Sequence, residues 1–289
     1  LLGNLYTWKG EHTLAIQQYY KALKINEKNK TIKYDLSFCL RRVGRLSEAI
    51  EVLKDLNYLN SRAFYIENLF LDNKKEEFIF HLREACKNYP GNRLLANLSK
   101  YASMLYGIED EYPFCKEPYL FTYQKNILKE EFIESLIEEI FSLNLDSSNQ
   151  ELITNGKQSA GNLFNFNSKN INLLKDIINE EILNYKNLFR EKEEYFIDNW
   201  PENYFLNSWY INLFKGGSLG YHYHHEGWIS GTVYLKMPET RDLNEGSIEF
   251  SYNNENYSKE IHSQSKLLKP EVGDIIIFPS SLNHRVNPF

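Results

Sequence analysis

The sequence predicts an α+β chain in two parts: N-terminal helical repeats, then a jelly-roll barrel with bracing helices. Three observations predict it. A 34-residue spacing relates Gly10 to Gly44, Ala15 to Ala49 and Tyr19 to Leu53. From Tyr204 onward the apolar period changes from helical to alternating. Four of the seven histidines fall in two short motifs near the end, at 222–225 and at His284.

The totals allow such a chain. At 289 residues, one large domain or two modest ones are expected. A hydrophobic share of 42% and an aromatic share of 15% suffice for packed cores. The net charge is -6 with both signs interspersed, so there is no basic stripe for a nucleic-acid backbone and no nucleic-acid partner is expected. Cys39, Cys86 and Cys115 share no metal or redox spacing. They read as reduced thiols, which predicts a cytoplasmic protein. The longest apolar runs, such as Ile275–Phe278, are too short to span a bilayer, so no membrane association is expected. The start at Leu1 has neither an initiator Met nor a signal-peptide layout, which reads as a piece of a longer protein.

The first hundred residues carry the repeat. Gly at an inter-helix turn and Ala at a helix crossing, repeated every 34 residues, is the tetratricopeptide signature. Small residues let antiparallel helices approach, and large ones fill the groove between hairpins. A degenerate third unit runs from Ala63 to Tyr89, with Asn73 and Phe78 in place of Gly and Ala. A further helix over Arg93–Tyr106 caps the array. Gly107 to Pro113 breaks the pattern, which places a boundary after residue 108. The expected domains are thus 1–108 and 109–289.

The second part begins with apolar stripes over Lys129–Leu143 and Ile171–Tyr195, both read as helices. The Ser-, Asn- and Gly-rich stretch from Asp146 to Asn162 reads as a loop. Strands are expected over Tyr204–Phe214, Trp228–Lys236, Ser247–Tyr252, Lys259–Leu267, Asp274–Phe278 and His284–Val286. Short strands without intervening helices indicate a sandwich or barrel.

The histidines carry the chemistry. On an extended segment, residues two apart point the same way, so His222 and His224 project together. His284 is the natural third ligand from another strand. Three protein ligands on one face leave the opposite face open, as in non-heme iron oxygenases, although imidazole also suits Zn and Cu. A set of His224, Glu226 and His284 is an alternative. The bland reading is a row of polar residues on a wet strand edge.

The string His222-x-His224-x-x-Gly227-Trp228-Ile229-Ser230-Gly231, with Tyr234 beyond, resembles the 2-oxoglutarate/Fe(II) oxygenase family that is often fused to tetratricopeptide repeats. Gly161-Asn162-Leu163-Phe164, Ser208-Trp209 with Gly216-Gly217, and Phe278-Pro279-Ser280 with His284 resemble further elements of that family, in the same order. The likeness spans about Pro113 to Phe289. It implies a double-stranded β-helix (jelly roll) that holds Fe(II) through His222, His224 and His284. It also implies 2-oxoglutarate as co-substrate, molecular oxygen as oxidant, and a dioxygenase that hydroxylates a C–H bond.

Such enzymes hold the distal carboxylate of 2-oxoglutarate with an Arg or Lys several residues after the last His. Arg285 is adjacent to His284 and, in a strand, points to the opposite face. The clamp is therefore expected on a strand beyond Phe289. Tyr210 and Asn212 on one strand, and Ser230, Thr232 and Tyr234 on the next, are the other candidates for binding the co-substrate. Trp209 and Trp228 read as core packing. His12, His81 and His262 read as ordinary surface or helix residues. The repeats are expected to bind a protein or peptide partner. Two other functions fit the same residues: a non-catalytic interaction module, and a cupin-like three-His enzyme that does not use 2-oxoglutarate.

Overall fold

The computed structural model describes residues 2–239, 242–253, 257, 261 and 264–289. The start of the strand expected over Lys259–Leu267, and His262 with it, lie outside the described residues. The chain forms two compact units, Leu1–Ser99 and Lys100–Phe289.

The first unit is a series of helical hairpins: α1 (Leu2–Trp8) with α2 (His12–Ile25), α3 (Lys30–Arg42) with α4 (Leu46–Leu53), and α5 (Ser61–Leu71) with α6 (Lys75–Asn88). The three hairpin turns are alike. Gly10, Gly44 and Asn73 each adopt a left-handed backbone, at φ 75°, 76° and 57°. Each turn makes the same two hydrogen bonds. Gly10 N donates to Thr7 O and Glu11 N to Tyr6 O. Gly44 N donates to Arg41 O and Arg45 N to Leu40 O, while Asn73 N donates to Phe70 O and Lys74 N to Leu69 O. This pair of bonds is a Schellman cap, which closes a helix on a residue that tolerates positive φ. Asn73 thus does in the third hairpin what glycine does in the first two. Five residues after each turn residue, Ala15, Ala49 and Phe78 are fully buried.

Helix α7 (Arg93–Tyr106) crosses from one unit to the other. The two compact units meet at 99/100, within this helix. The physical reason is visible in its second half: Tyr101 packs on Tyr257 with ring centroids 4.7 Å apart, inside the second unit.

The second unit continues with a 3-10 turn over Pro118–Phe121, β1 (Tyr123–Asn126), α8 (Glu130–Ser142), β2 (Ser147–Ser148), β3 (Ile153–Ser159), α9 (Lys169–Phe189) and α10 (Tyr195–Asp198). Then come β4 (Ile211–His222), β5 (Ile229–Val233), β6 (Ile248–Ser251), β7 (Lys266–Leu268), β8 (Asp274–Pro279) and β9 (Asn283–Val286). They form a sheet of order β1-β8-β5 and a sheet of order β2-β3-β4-β9-β6-β7, with antiparallel pairing throughout. The sheets face each other. Phe278 of β8 packs against Phe250 of β6 and His284 of β9, at centroid distances of 4.9 and 4.6 Å. The outer side of the smaller sheet packs on α8 and α9, where Val233 and Leu235 join a core of Ile133, Leu136, Ile140 and Leu174. Covered on both sides, β8 is buried along its whole length, which explains its unbroken apolar run.

Helix α9 starts at Ser168, whose own side chain does not cap it. Glu139 of α8 caps it instead. Its carboxylate accepts from Asn170 N at 3.0 Å and Ile171 N at 3.1 Å, and from the Ser168 hydroxyl. A carboxylate at a helix N-terminus meets the unpaired N–H groups and the positive end of the dipole.

Two expectations need correction. The stretch expected as a loop, 146–162, contains β2 and β3, and β3 pairs with β4. Its polar composition hid a strand of mixed exposure. The strand expected from Tyr204 begins at Ile211. The preceding residues are held by two backbone bonds, Leu163 N to Ser208 O at 2.8 Å and Ser159 N to Tyr210 O at 3.0 Å, and by Asn162, whose side chain donates to Leu206 O at 2.8 Å and accepts from Ser208 N at 3.0 Å. Among the described residues, no helix is long and apolar enough to cross a membrane.

Candidate metal centre

Strand β4 ends at His222, which lies opposite His284 in the β4–β9 ladder. Phe250 lies opposite His284 on its other side. Residues paired across a ladder point to the same face, so the two histidines project together between the sheets. Their ring centroids are 4.2 Å apart. His224 lies just past the end of β4, and the loop brings its ring to 5.0 Å from His222 and 5.3 Å from His284. One ligand atom from each of the three lies within 4.8 Å of the others.

The bonds of the rings say which atoms can ligate. His222 Nδ1 is 2.9 Å from Gly220 O, and His284 Nδ1 is 3.1 Å from Leu282 O. A carbonyl only accepts, so each Nδ1 carries the proton, which leaves Nε2 as the nitrogen of each ring that can ligate. Metal-binding histidines are held this way, because a bond at one nitrogen fixes the tautomer and orientation of the other.

Burial favours the neutral form of two of the three. It pushes His224 down to about 4, helped by neighbouring His222 and His225. Burial likewise pushes His284 well below its ordinary value, with His222 and His224 adding to it and the Leu282 carbonyl opposing. Three imidazoles in one place are a donor set for a transition metal.

Residues 207–289 match the family described as "Putative 2OG-Fe(II) oxygenase". The match spans β4 to β9 and contains all three histidines. A 2OG-Fe(II) oxygenase domain takes Fe(II) and 2-oxoglutarate, and the histidine cluster is compatible with iron. A prolyl-4-hydroxylase of Pseudomonas putida is a similar solved structure, at 12% identity and a TM-score of 0.39, over 58% of this chain and 84% of that chain. No curated protein matches the chain.

The remaining sequence candidates divide cleanly. Glu226 is exposed and outside the three-residue group, so the alternative set His224, Glu226 and His284 is not the one brought together. Ser230 pairs with the inward-facing Phe278, and Thr232 and Tyr234 follow at the same parity. Tyr234 is buried, and its hydroxyl makes no well-formed hydrogen bond. Burial raises the pKa of this hydroxyl, the Asp274 carboxyl adds to the rise, and the Thr232 hydroxyl opposes it. A buried polar atom in want of a partner, between the sheets that hold the histidines, fits a bound carboxylate.

Tyr210 and Asn212 are not brought to the histidines. Tyr210 packs on the α8–α9 core, 6.0 Å from Phe141. Asn212 is exposed and pairs with Lys157 of β3. Arg285 points to the opposite face from His284, as alternation requires. It binds Glu249 Oε2 through Nε at 3.0 Å and a terminal nitrogen at 2.7 Å, and its guanidinium lies 4.5 Å from the Tyr221 ring. Trp228 packs at 5.0 Å on Phe114 and donates to Phe196 O. Trp209 is half-buried, 5.8 Å from the His224 ring. One residue that spacing alone did not single out is Ser280, fully buried in the turn before β9.

Proposed function

We propose that the chain is an Fe(II)- and 2-oxoglutarate-dependent dioxygenase that hydroxylates a C–H bond. The overall reaction couples R–H, 2-oxoglutarate and O2 to R–OH, succinate and CO2. The observation that carries this is the group of three imidazoles with a ligand atom from each within 4.8 Å of the others, two of them with Nδ1 engaged by a carbonyl. His222, His224 and His284 hold the metal. When bound, Fe(II) supplies the redox chemistry that lets oxygen react.

The chain's own groups do the rest. Ser230 and Tyr234 present hydroxyls between the sheets and orient the co-substrate. The Phe250 and Phe278 rings shield the inner side of the histidines from water, which strengthens every polar contact there. The hairpin repeats, read as tetratricopeptide-type, bind a protein or peptide partner, and the two facing sheets are read as a double-stranded β-helix.

The test is succinate release from 2-oxoglutarate by the full chain with Fe(II), and its loss in His224→Ala. Release unchanged by that substitution sinks the site assignment. One observation favours a second reading, a three-histidine enzyme that does not use 2-oxoglutarate: Arg285 is committed to Glu249. Tight metal uptake without 2-oxoglutarate consumption supports that reading. No uptake of Fe(II) or Mn(II) supports a non-catalytic module.

A further inference from the structure

His222 and His284 owe their positions to the β4–β9 ladder, but His224 does not. It lies past the end of its strand, and a loop residue needs another support. Ser280, fully buried in the turn between β8 and β9, supplies it. The backbone of Ser280 makes two bonds to the loop: His224 N donates to Ser280 O at 3.1 Å, and Ser280 N donates to Trp228 O at 3.3 Å. Its hydroxyl makes a third, to the Ser230 hydroxyl at 2.8 Å. The loop closes on itself through Gly227 N to His224 O at 3.1 Å.

Gly227 sits directly against this hydroxyl. A Cβ built there would lie 2.7 Å from Ser280 Oγ. The same short turn ends at Leu282, whose carbonyl orients the His284 ring. One turn therefore sets two of the three donors: the backbone of His224 through Ser280, and the ring of His284 through Leu282.

We propose that Ser280 is the positioning residue for His224, and that its hydroxyl, tied to Ser230 and packed under Gly227, holds the loop in the metal-binding arrangement. This rests on the metal reading given above. Ser280 touches neither substrate nor metal and acts through the loop. Outer partners of this kind alter metal affinity by about 10–100-fold, because a ligand held off-angle must be reoriented on binding.

The experiment titrates Co(II) into the full chain, following affinity by calorimetry and ligand geometry by the visible d–d spectrum. Ser280→Ala is expected to weaken Co(II) about tenfold and to alter the spectrum. Ser230→Ala is expected to do the same, and the double variant to be no worse than either single one, since both remove one bond. Gly227→Ala is expected to weaken binding in the natural background and less so beside Ser280→Ala, where the crowded oxygen is gone. A Ser280→Ala protein with natural affinity and spectrum overturns the proposal, whatever happens to its melting temperature. If Ser280→Ala does not fold, Ser230→Ala with natural affinity and spectrum overturns it equally. Natural protein that takes up no Co(II) sinks the metal reading itself, and this proposal with it.

Discussion

His222 and His284 are ladder partners whose ring centroids lie 4.2 Å apart between the two sheets. Two donors on neighbouring strands need no reorganisation to meet a metal. Replacing either by Ala is expected to lower Co(II) affinity by more than about 100-fold, beyond what an outer partner costs. His225 lies outside the group, with its ring 6.3 Å from Tyr223. His225→Ala is expected to change affinity less than an outer-partner substitution does, by below about tenfold. Calorimetric titration of the three variants checks this. A loss at His225 as large as at His284 would mean the donor set is misassigned.

Tyr234 offers a separation of binding from stability. Its hydroxyl is buried without a well-formed hydrogen bond, so removing it costs the empty protein little or nothing. A hydrogen bond to a charged carboxylate contributes about 1.5–3 kcal/mol. Tyr234→Phe is therefore expected to raise the KM for 2-oxoglutarate at least about tenfold, with the melting temperature unchanged or slightly higher. An unchanged KM removes Tyr234 from the co-substrate site.

Particular residues show how far the sequence alone carries. The hairpins are legible because a Schellman turn needs a left-handed residue, and Gly10 and Gly44 mark two such turns. Asn73 marks the third because Asn is the next residue to tolerate that backbone. Strand β8 is legible because burial on both sides demands an apolar run. The histidine set is legible because two of its members lie in one short motif. Strand β3 is not, since its Thr, Asn, Gly, Lys, Gln and Ser residues look like a loop until β4 lies beside it. The fates of Tyr210 and Ser280 are not legible either. One depends on a helical layer covering it, and the other on a loop more than fifty residues earlier in the chain.

Arg285 is a test of strand alternation. Its guanidinium and the Tyr221 hydroxyl both bind Glu249, and they hold that carboxyl below its usual range despite the burial that opposes its charge. The Arg285 side chain is 40% exposed and the Glu249 side chain 12%, so solvent screens much of the pair. Arg285→Ala is expected to cost about 1 kcal/mol of stability. It is expected to leave the KM for 2-oxoglutarate within roughly twofold. Steady-state kinetics beside urea unfolding decides the matter, and a KM raised as in a lost carboxylate clamp refutes the outward placement.

Acid should destabilise the metal-free chain in two stages. Folding lowers the pKa of His224 to about 4, whereas the unfolded chain takes up that proton at about 6.5. Between these values the unfolded state binds more protons, so stability falls as pH drops through this window and is full above it. His284 shifts in the same direction. Glu139, Glu181 and Glu249 follow at lower pH. Burial opposes their charge, yet their hydrogen bonds outweigh it and lower all three. Their contribution is present above the unfolded value of about 4.3 and is lost as pH falls through the lower folded values. Melting temperature against pH checks both stages. A flat profile from pH 6.5 to 5 contradicts the first.

The hairpin turns make the last prediction, which depends on backbone alone. Gly44 has φ 76°, and a Cβ built on it meets nothing within 4 Å. Any cost of Gly44→Ala is therefore conformational, about 1–2 kcal/mol for an L-residue in the left-handed region. Asn73→Gly should act in the opposite sense and more weakly, because Asn already tolerates φ 57° and glycine gains freedom in the unfolded chain. Hydrogen exchange of the full chain reads this locally, at the amides of α3 and α4 for Gly44→Ala and of α5 and α6 for Asn73→Gly. Protection should fall for the first and hold or rise for the second. If Gly44→Ala leaves exchange in α3 and α4 untouched, the left-handed turn is not what closes that hairpin, and the shared cap no longer explains the 34-residue spacing of Gly10 and Gly44.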